Sequence, residues 1–112
     1  MGQDMECITV TVIEEKPELE IRTLYVVDAD TYEETATLYV GKRYVVIVKV
    51  HNRSDISGKP KIKVTVGGNE VYNEWLSCVE GYGTVSFATA EITPSTTGSL
   101  QICAEIVDTE RC

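Results

Sequence analysis

A chain of 112 residues has room for one domain with one core, and a formal net charge of −8 would repel rather than attract a phosphate backbone, so nucleic-acid binding is not expected. Val, Ile and Thr number 37 against 10 for Ala plus Leu. β-Branched side chains suit a pleated, half-buried surface and lose freedom in a helix, so strands are expected almost throughout.

Residues 7–13, Cys-Ile-Thr-Val-Thr-Val-Ile, alternate cleanly and place Ile8, Val10 and Val12 on one face. Glu14-Glu15-Lys16-Pro17-Glu18 breaks that ladder, and a second strand is expected at about 19–27. An acidic loop from Asp28 to Glu34 follows, then a short edge segment over 37–40 ending at Gly41. Residues 43–51 read as a central strand: Tyr44, Val46, Val48 and Val50 share one face, while Val45 and Ile47 enrich the other. After a turn at 52–58, residues 60–66 alternate Ile62, Val64 and Val66 with Lys61, Lys63 and Thr65. Gly67-Gly68 signals a hairpin into a strand at 70–76. In 84–92 the parity moves from Val85 and Phe87 to Ala88, Ala90 and Ile92, the mark of a bulge. The last strand is expected at 99–107, burying Leu100, Ile102, Ala104 and Ile106. Seven or eight short strands at this spacing indicate an immunoglobulin-like β-sandwich, mostly antiparallel, occupying residues 18–112, with residues 1–17 forming an extra strand and linker.

Candidate sites are few. Cys7, Cys78, Cys103 and Cys112 lack CxxC spacing, and His51 is the only histidine, so zinc is a poor fit and disulfides a better one. At least one bridge is expected, with connectivity open among three complete pairings. Cys7 and Cys103 oppose the parity of the apolar residues beside them and should face away from the core. Disulfides place the chain extracellularly or on a cell surface, or in a hyperthermophile cytosol. Only five Asn plus Gln residues also hint at a thermophile. No leader is visible, so any leader is expected to be absent from this chain. Asp28, Asp30, Glu33 and Glu34 offer hard oxygens to Ca²⁺, but without the glycine and regular spacing of a calcium loop they read as a solvated acidic loop. Asn52-Arg53-Ser54 is an N-glycosylation sequon in which Asn52 also suits the turn. Lys59, Lys61 and Lys63 read as edge protection ahead of a basic docking stripe for a segment such as Glu14-Glu15. His51 flanks a turn with no nucleophile evident beside it, so no enzyme, cofactor or small-molecule ligand is expected.

Three stretches between Glu18 and Asp108 resemble the CARDB family of immunoglobulin-like modules named for bacterial cell adhesion. Gly41 to Asn52 is similar to its glycine, long alternating strand and closing Asn; Val64 to Val71 is similar to its central hairpin. Thr93-Pro94 through Gly98, with Leu100 to Asp108 after it, resembles its terminal loop and strand. The resemblance implies a non-enzymatic surface module. The family continues past that Asp into a seventh strand, whereas this sequence has an extra strand at its start.

A structural or adhesive surface module is therefore the leading expectation. The extra strand makes two arrangements possible. Residues 7–13 can pair in cis with 19–27, or supply the missing last strand of a neighbouring copy by donor-strand complementation, giving a pilus, a surface thread or a virion component. Residues 14–18 span at most about 18 Å, less than the roughly 20 Å needed to return along a strand, which favours the neighbour. An accessory binding module of a secreted hydrolase is a third possibility. Partners are expected to be protein, either copies of this chain or adjacent domains.

Overall fold

The β-branched runs form six strands and no helix among residues 4–112, the residues described by the computed structural model. The expectation for Met1, Gly2 and Gln3 lies outside the described residues. The strands are β1 (Leu19–Asp28), β2 (Tyr44–Asn52), β3 (Gly58–Val66), β4 (Asn69–Trp75), β5 (Thr84–Ile92) and β6 (Ile102–Arg111). They make two antiparallel three-stranded sheets, ordered β1-β2-β5 and β4-β3-β6. This is a β-sandwich with six strands where seven or eight were expected.

The core follows the alternation. Tyr44, Val46, Val48 and Val50 from β2 meet Ile62 and Val64 from β3, with Val79, Phe87, Ala90 and Ile92 closing the cluster. Tyr44 spends its hydroxyl at the rim, where it accepts the Tyr39 N–H at 2.8 Å. The bulge in β5 is present: Val45 pairs with Glu91 but Ile47 with Ala88, leaving one extra residue on β5 opposite Val46. Thr89 fills the gap by donating its hydroxyl to the Val46 carbonyl at 2.8 Å. Ala88 consequently faces out, not in as its parity suggested, and Ala90 and Ile92 take the inward positions.

Three expectations fail at the ends of the chain and at one loop. Residues 7–13 pair with nothing described and form no strand. Their alternation is real, but a ladder requires pairing with an edge, and they pair with none of the described strands. Residues 37–40 form loop and turn, held by Gly41 N–H donating to Pro94 O at 2.9 Å. Finally, β6 begins at Ile102, so Leu100 lies in the preceding loop and is 45% exposed.

The strand ends define two poles. At the near pole Leu19 pairs with Asn52 and Gly58 with Arg111; at the far pole Asp28 pairs with Tyr44 and Val66 with Ile102. Residues 4–16 form an exposed arm rooted at the near pole. Its root is clamped there: Pro17 is buried, and a Cβ on Gly58 would come within 2.5 Å of its ring, so only glycine leaves room. Arg111 adds an ion pair to Glu14 at 3.7 Å. The molecule measures 89 × 25 × 17 Å, with a radius of gyration of 21.0 Å. A compact chain of this length would have about 13 Å. The arm accounts for the excess.

Candidate assembly surface

β3 is flanked by β4 on one side and β6 on the other, so the outer edge of β6 is the edge of its sheet. No described strand pairs with it. In a seven-stranded sandwich that position belongs to the last strand, antiparallel to its neighbour. Above it, toward the far pole, lies a groove of about 520 Å³ with Val26 and Ile102 at its base and Leu38, Tyr39, Val40 and Leu100 along its walls. Tyr39, Val40 and Leu100 stand exposed there. The apolar stock missing from this groove is found on the arm. Ile8 and Val12 are each 87% exposed, and Val10 and Ile13 are also open to solvent.

β6 carries the alternation that such a partner would need. Ile102, Ala104 and Ile106 turn toward the core, while Cys103 and Glu105 face out. A bulge follows, because Ile62 pairs with Ile106 but Lys61 with Asp108. The outward face of the sheet is polar and internally paired. Lys59 meets Glu110 at 3.4 Å and Lys63 meets Glu105 at 3.5 Å. Lys59 also sits 5.5 Å from the Trp75 ring centroid. These lysines lie on the central strand of their sheet, so edge protection is not their role. Nor do they form a stripe for Glu14, which pairs with Arg111 instead.

The cysteines divide into two kinds. Cys78 and Cys112 form a disulfide, tying the end of β6 to the loop before β5. Cys7 and Cys103 are free and exposed; Cys103 faces away from the core as its parity indicated, while Cys7 lies on the arm, where every residue is exposed whatever its parity.

The remaining candidates have local structural duties. Asn52 is fully buried: its Nδ2 donates to Ile56 O at 2.7 Å and to Val79 O at 3.1 Å, while its Oδ1 accepts from the Ser54 N–H and hydroxyl. A sugar on that nitrogen is incompatible with the folded turn, which corrects the glycosylation expectation. Asp28 Oδ1 accepts the N–H groups of Asp30 and Thr31, at 2.8 and 3.2 Å. Those bonds hold its carboxyl below the usual range against the opposing effect of desolvation, with Lys42 adding to the lowering. Asp30 pairs with Arg43 at 3.1 Å, and Glu34 belongs to a bridge with Val27. Together with Glu33 they make a folded acidic turn; among the described residues, no group of three or more His, Cys, Asp or Glu is placed to hold a metal ion. His51 Nδ1 lies 2.7 Å from the Thr84 hydroxyl. The groove itself was the feature missed by sequence reasoning, since its walls come from two loops separated by more than fifty residues. The only sequence signal was Tyr39-Val40 and Leu100, apolar residues in segments otherwise built of turn formers. No protein-family model, curated protein or solved structure matches the chain, and the resemblance to CARDB modules gains no support from these comparisons.

Proposed function

We propose that this chain is a non-enzymatic structural subunit of a surface filament, assembled head to tail by donor-strand complementation. The observation carrying this reading is the pairing of opposites on one molecule: a β6 edge that no described strand pairs with, beside a groove lined by both apolar and hydroxyl side chains, and an unpaired arm with alternating apolar side chains. The arm is rooted at the near pole, and the groove opens toward the far pole. A second copy stacked beyond the far pole would therefore send its arm in root-last, running antiparallel to β6. That is the direction a seventh strand beside β6 would take. Because the contact joins two different surfaces, it repeats without closing and yields an open chain of subunits. The disulfide between Cys78 and Cys112 fits assembly in an oxidising compartment, such as a cell exterior.

The test is sedimentation and electron microscopy of the wild-type protein beside a chain lacking residues 1–14 and beside Val10→Asp. Val10 is exposed in the single subunit, so its replacement leaves the sandwich intact and attacks only insertion. Wild-type protein should sediment as threads one domain wide, and both variants should remain monomeric. A wild type that stays monomeric at high concentration, or a Val10→Asp protein that polymerises like wild type, would overturn the reading.

A further inference from the structure

Two free cysteines remain once the Cys78–Cys112 bridge is made, and they lie on the two elements that strand insertion would bring together. Cys7 begins the alternating part of the arm, and Cys103 lies on the open edge strand β6. Both carry the outward parity: Cys7 opposes Ile8, Val10 and Val12, and Cys103 lies between the inward Ile102 and Ala104. Inserted antiparallel with apolar residues inward, the arm would place both thiols on the same face of the sheet. We propose that Cys7 of one subunit forms a disulfide with Cys103 of the next, converting the filament into a covalent chain. This inference rests on the donor-strand reading.

The pairing sets a register. With Cys7 opposite Cys103, Ile8 faces Ile102, Val10 faces Leu100 and Val12 faces Gly98. These positions lie beside the groove, whose lining includes Gly98, Leu100 and Ile102. Gly98 has nothing within 4 Å of where a Cβ would stand, and its φ of 119° marks where the extended segment before β6 begins. The outward partners are then Thr9 with Gln101 and Thr11 with Ser99, both polar. The Gln101 carbonyl accepts the Gly67 N–H at 2.8 Å, which carries the pairing with β3 one residue back from Ile102. Glu6 follows Cys7 in the inward parity, and a carboxylate there would end insertion. The disulfide would therefore clasp the strand at its inner tip, where fraying begins. At the near pole the subunit's own outgoing linker touches the end of β6 through Glu14 on Arg111, and β3 through Pro17 on Gly58.

The chemistry is thiol–disulfide exchange with a disulfide oxidant, the same class of reagent that makes Cys78–Cys112. The Cys7 thiolate attacks the oxidant's S–S bond, forming a mixed disulfide and releasing one oxidant thiolate. The Cys103 thiolate then attacks Cys7 Sγ, forming the intersubunit bond and releasing the second thiolate. One disulfide forms on the protein, one is reduced on the oxidant, and the two thiol protons pass to the oxidant's sulfurs.

The experiment starts from sedimented wild-type protein, alkylated with N-ethylmaleimide and boiled in SDS without reductant. The expected result is a ladder in steps of 12.4 kDa that collapses to monomer on reduction, with a crosslinked peptide pair joining Cys7 to Cys103. Cys7→Ser mixed with Cys103→Ser should give species no larger than a covalent dimer, since each variant retains one half of the link. A pellet that dissolves to monomer with both thiols alkylated overturns the disulfide but leaves strand insertion standing. Bonds joining Cys7 to Cys7, or Cys7 to Cys103 within one chain, also overturn it. Absence of any pellet removes the donor-strand reading and this inference with it.

Discussion

Asn52 and Val48 show how little of a residue's role resides in its type alone. Asn52 sits at the end of β2, where three hydrogen bonds hold the β2–β3 turn and a fourth ties it to Val79 on the loop before β5. Replacing it with alanine would take one of two donors from each of the Ile56 and Val79 carbonyls and the acceptor from the Ser54 N–H, at a cost of about 2 kcal/mol. The expected result is a clear drop in melting temperature, against no measurable change for the exposed Asn73→Ala. Val48 is wholly buried at the centre of the core cluster. Val48→Asp puts an unpaired charge there and should cost about 4 kcal/mol or more, whereas Lys61→Ala on the outward face should move stability by no more than about 0.5 kcal/mol. Thermal or urea melts of the two variants provide the comparison. Asp28 has a pH signature. Its carboxyl is held below its ordinary value of 3.8 in the folded chain, first by the Asp30 and Thr31 amides. A depressed carboxylate contributes stability above its unfolded pKa and loses it as pH falls through the folded value. Acid melts of wild type should therefore fall more steeply below about pH 4 than those of Asp28→Asn, in which the group no longer titrates.

Among the elements, strands with a partner on each side were the easiest to read. β2 and β3 follow their alternation almost residue by residue, because the core lies on one face and each has a neighbour along both edges. The bulge in β5 was legible as a parity change, but the side on which Ala88 lands was not, since that depends on where β2 resumes pairing. Leu100 misled for a similar reason: it keeps the parity of Ile102 yet lies before the first residue paired with β3. Residues 7–13 are the instructive case. Their pattern predicted a strand, but strand character requires pairing with an edge, and within this molecule they pair with none of the described strands. Sequence alternation reports suitability for a sheet, not whose sheet it is. A synthetic peptide of residues 6–15, added to protein lacking residues 1–14, should raise its melting temperature and slow amide exchange at the start of β6 and in the segment before it. The same peptide with Val10 changed to Asp should do neither, because the inward side chains supply the fit.

For the molecule as a whole, the Cys78–Cys112 bridge closes a segment of 34 residues by sequence separation. Loop-closure entropy of that size is worth about 3–4 kcal/mol. Cys78→Ala combined with Cys112→Ala should lower the melting temperature by roughly that amount of stability, read against oxidised wild type. The clamp of Pro17 on Gly58 has a different consequence. Between Pro17 and the arm's last alternating residue, Ile13, only residues 14–16 are free, a span of at most about 14 Å counted over the four bonds from 13 to 17. In the proposed filament, successive sandwiches would therefore nearly touch, with no slack in which to swivel. Tension along the thread would pass from the clamp directly into the inserted strand along its length. The hydrogen bonds holding it would be loaded in shear, all together, rather than peeled one after another.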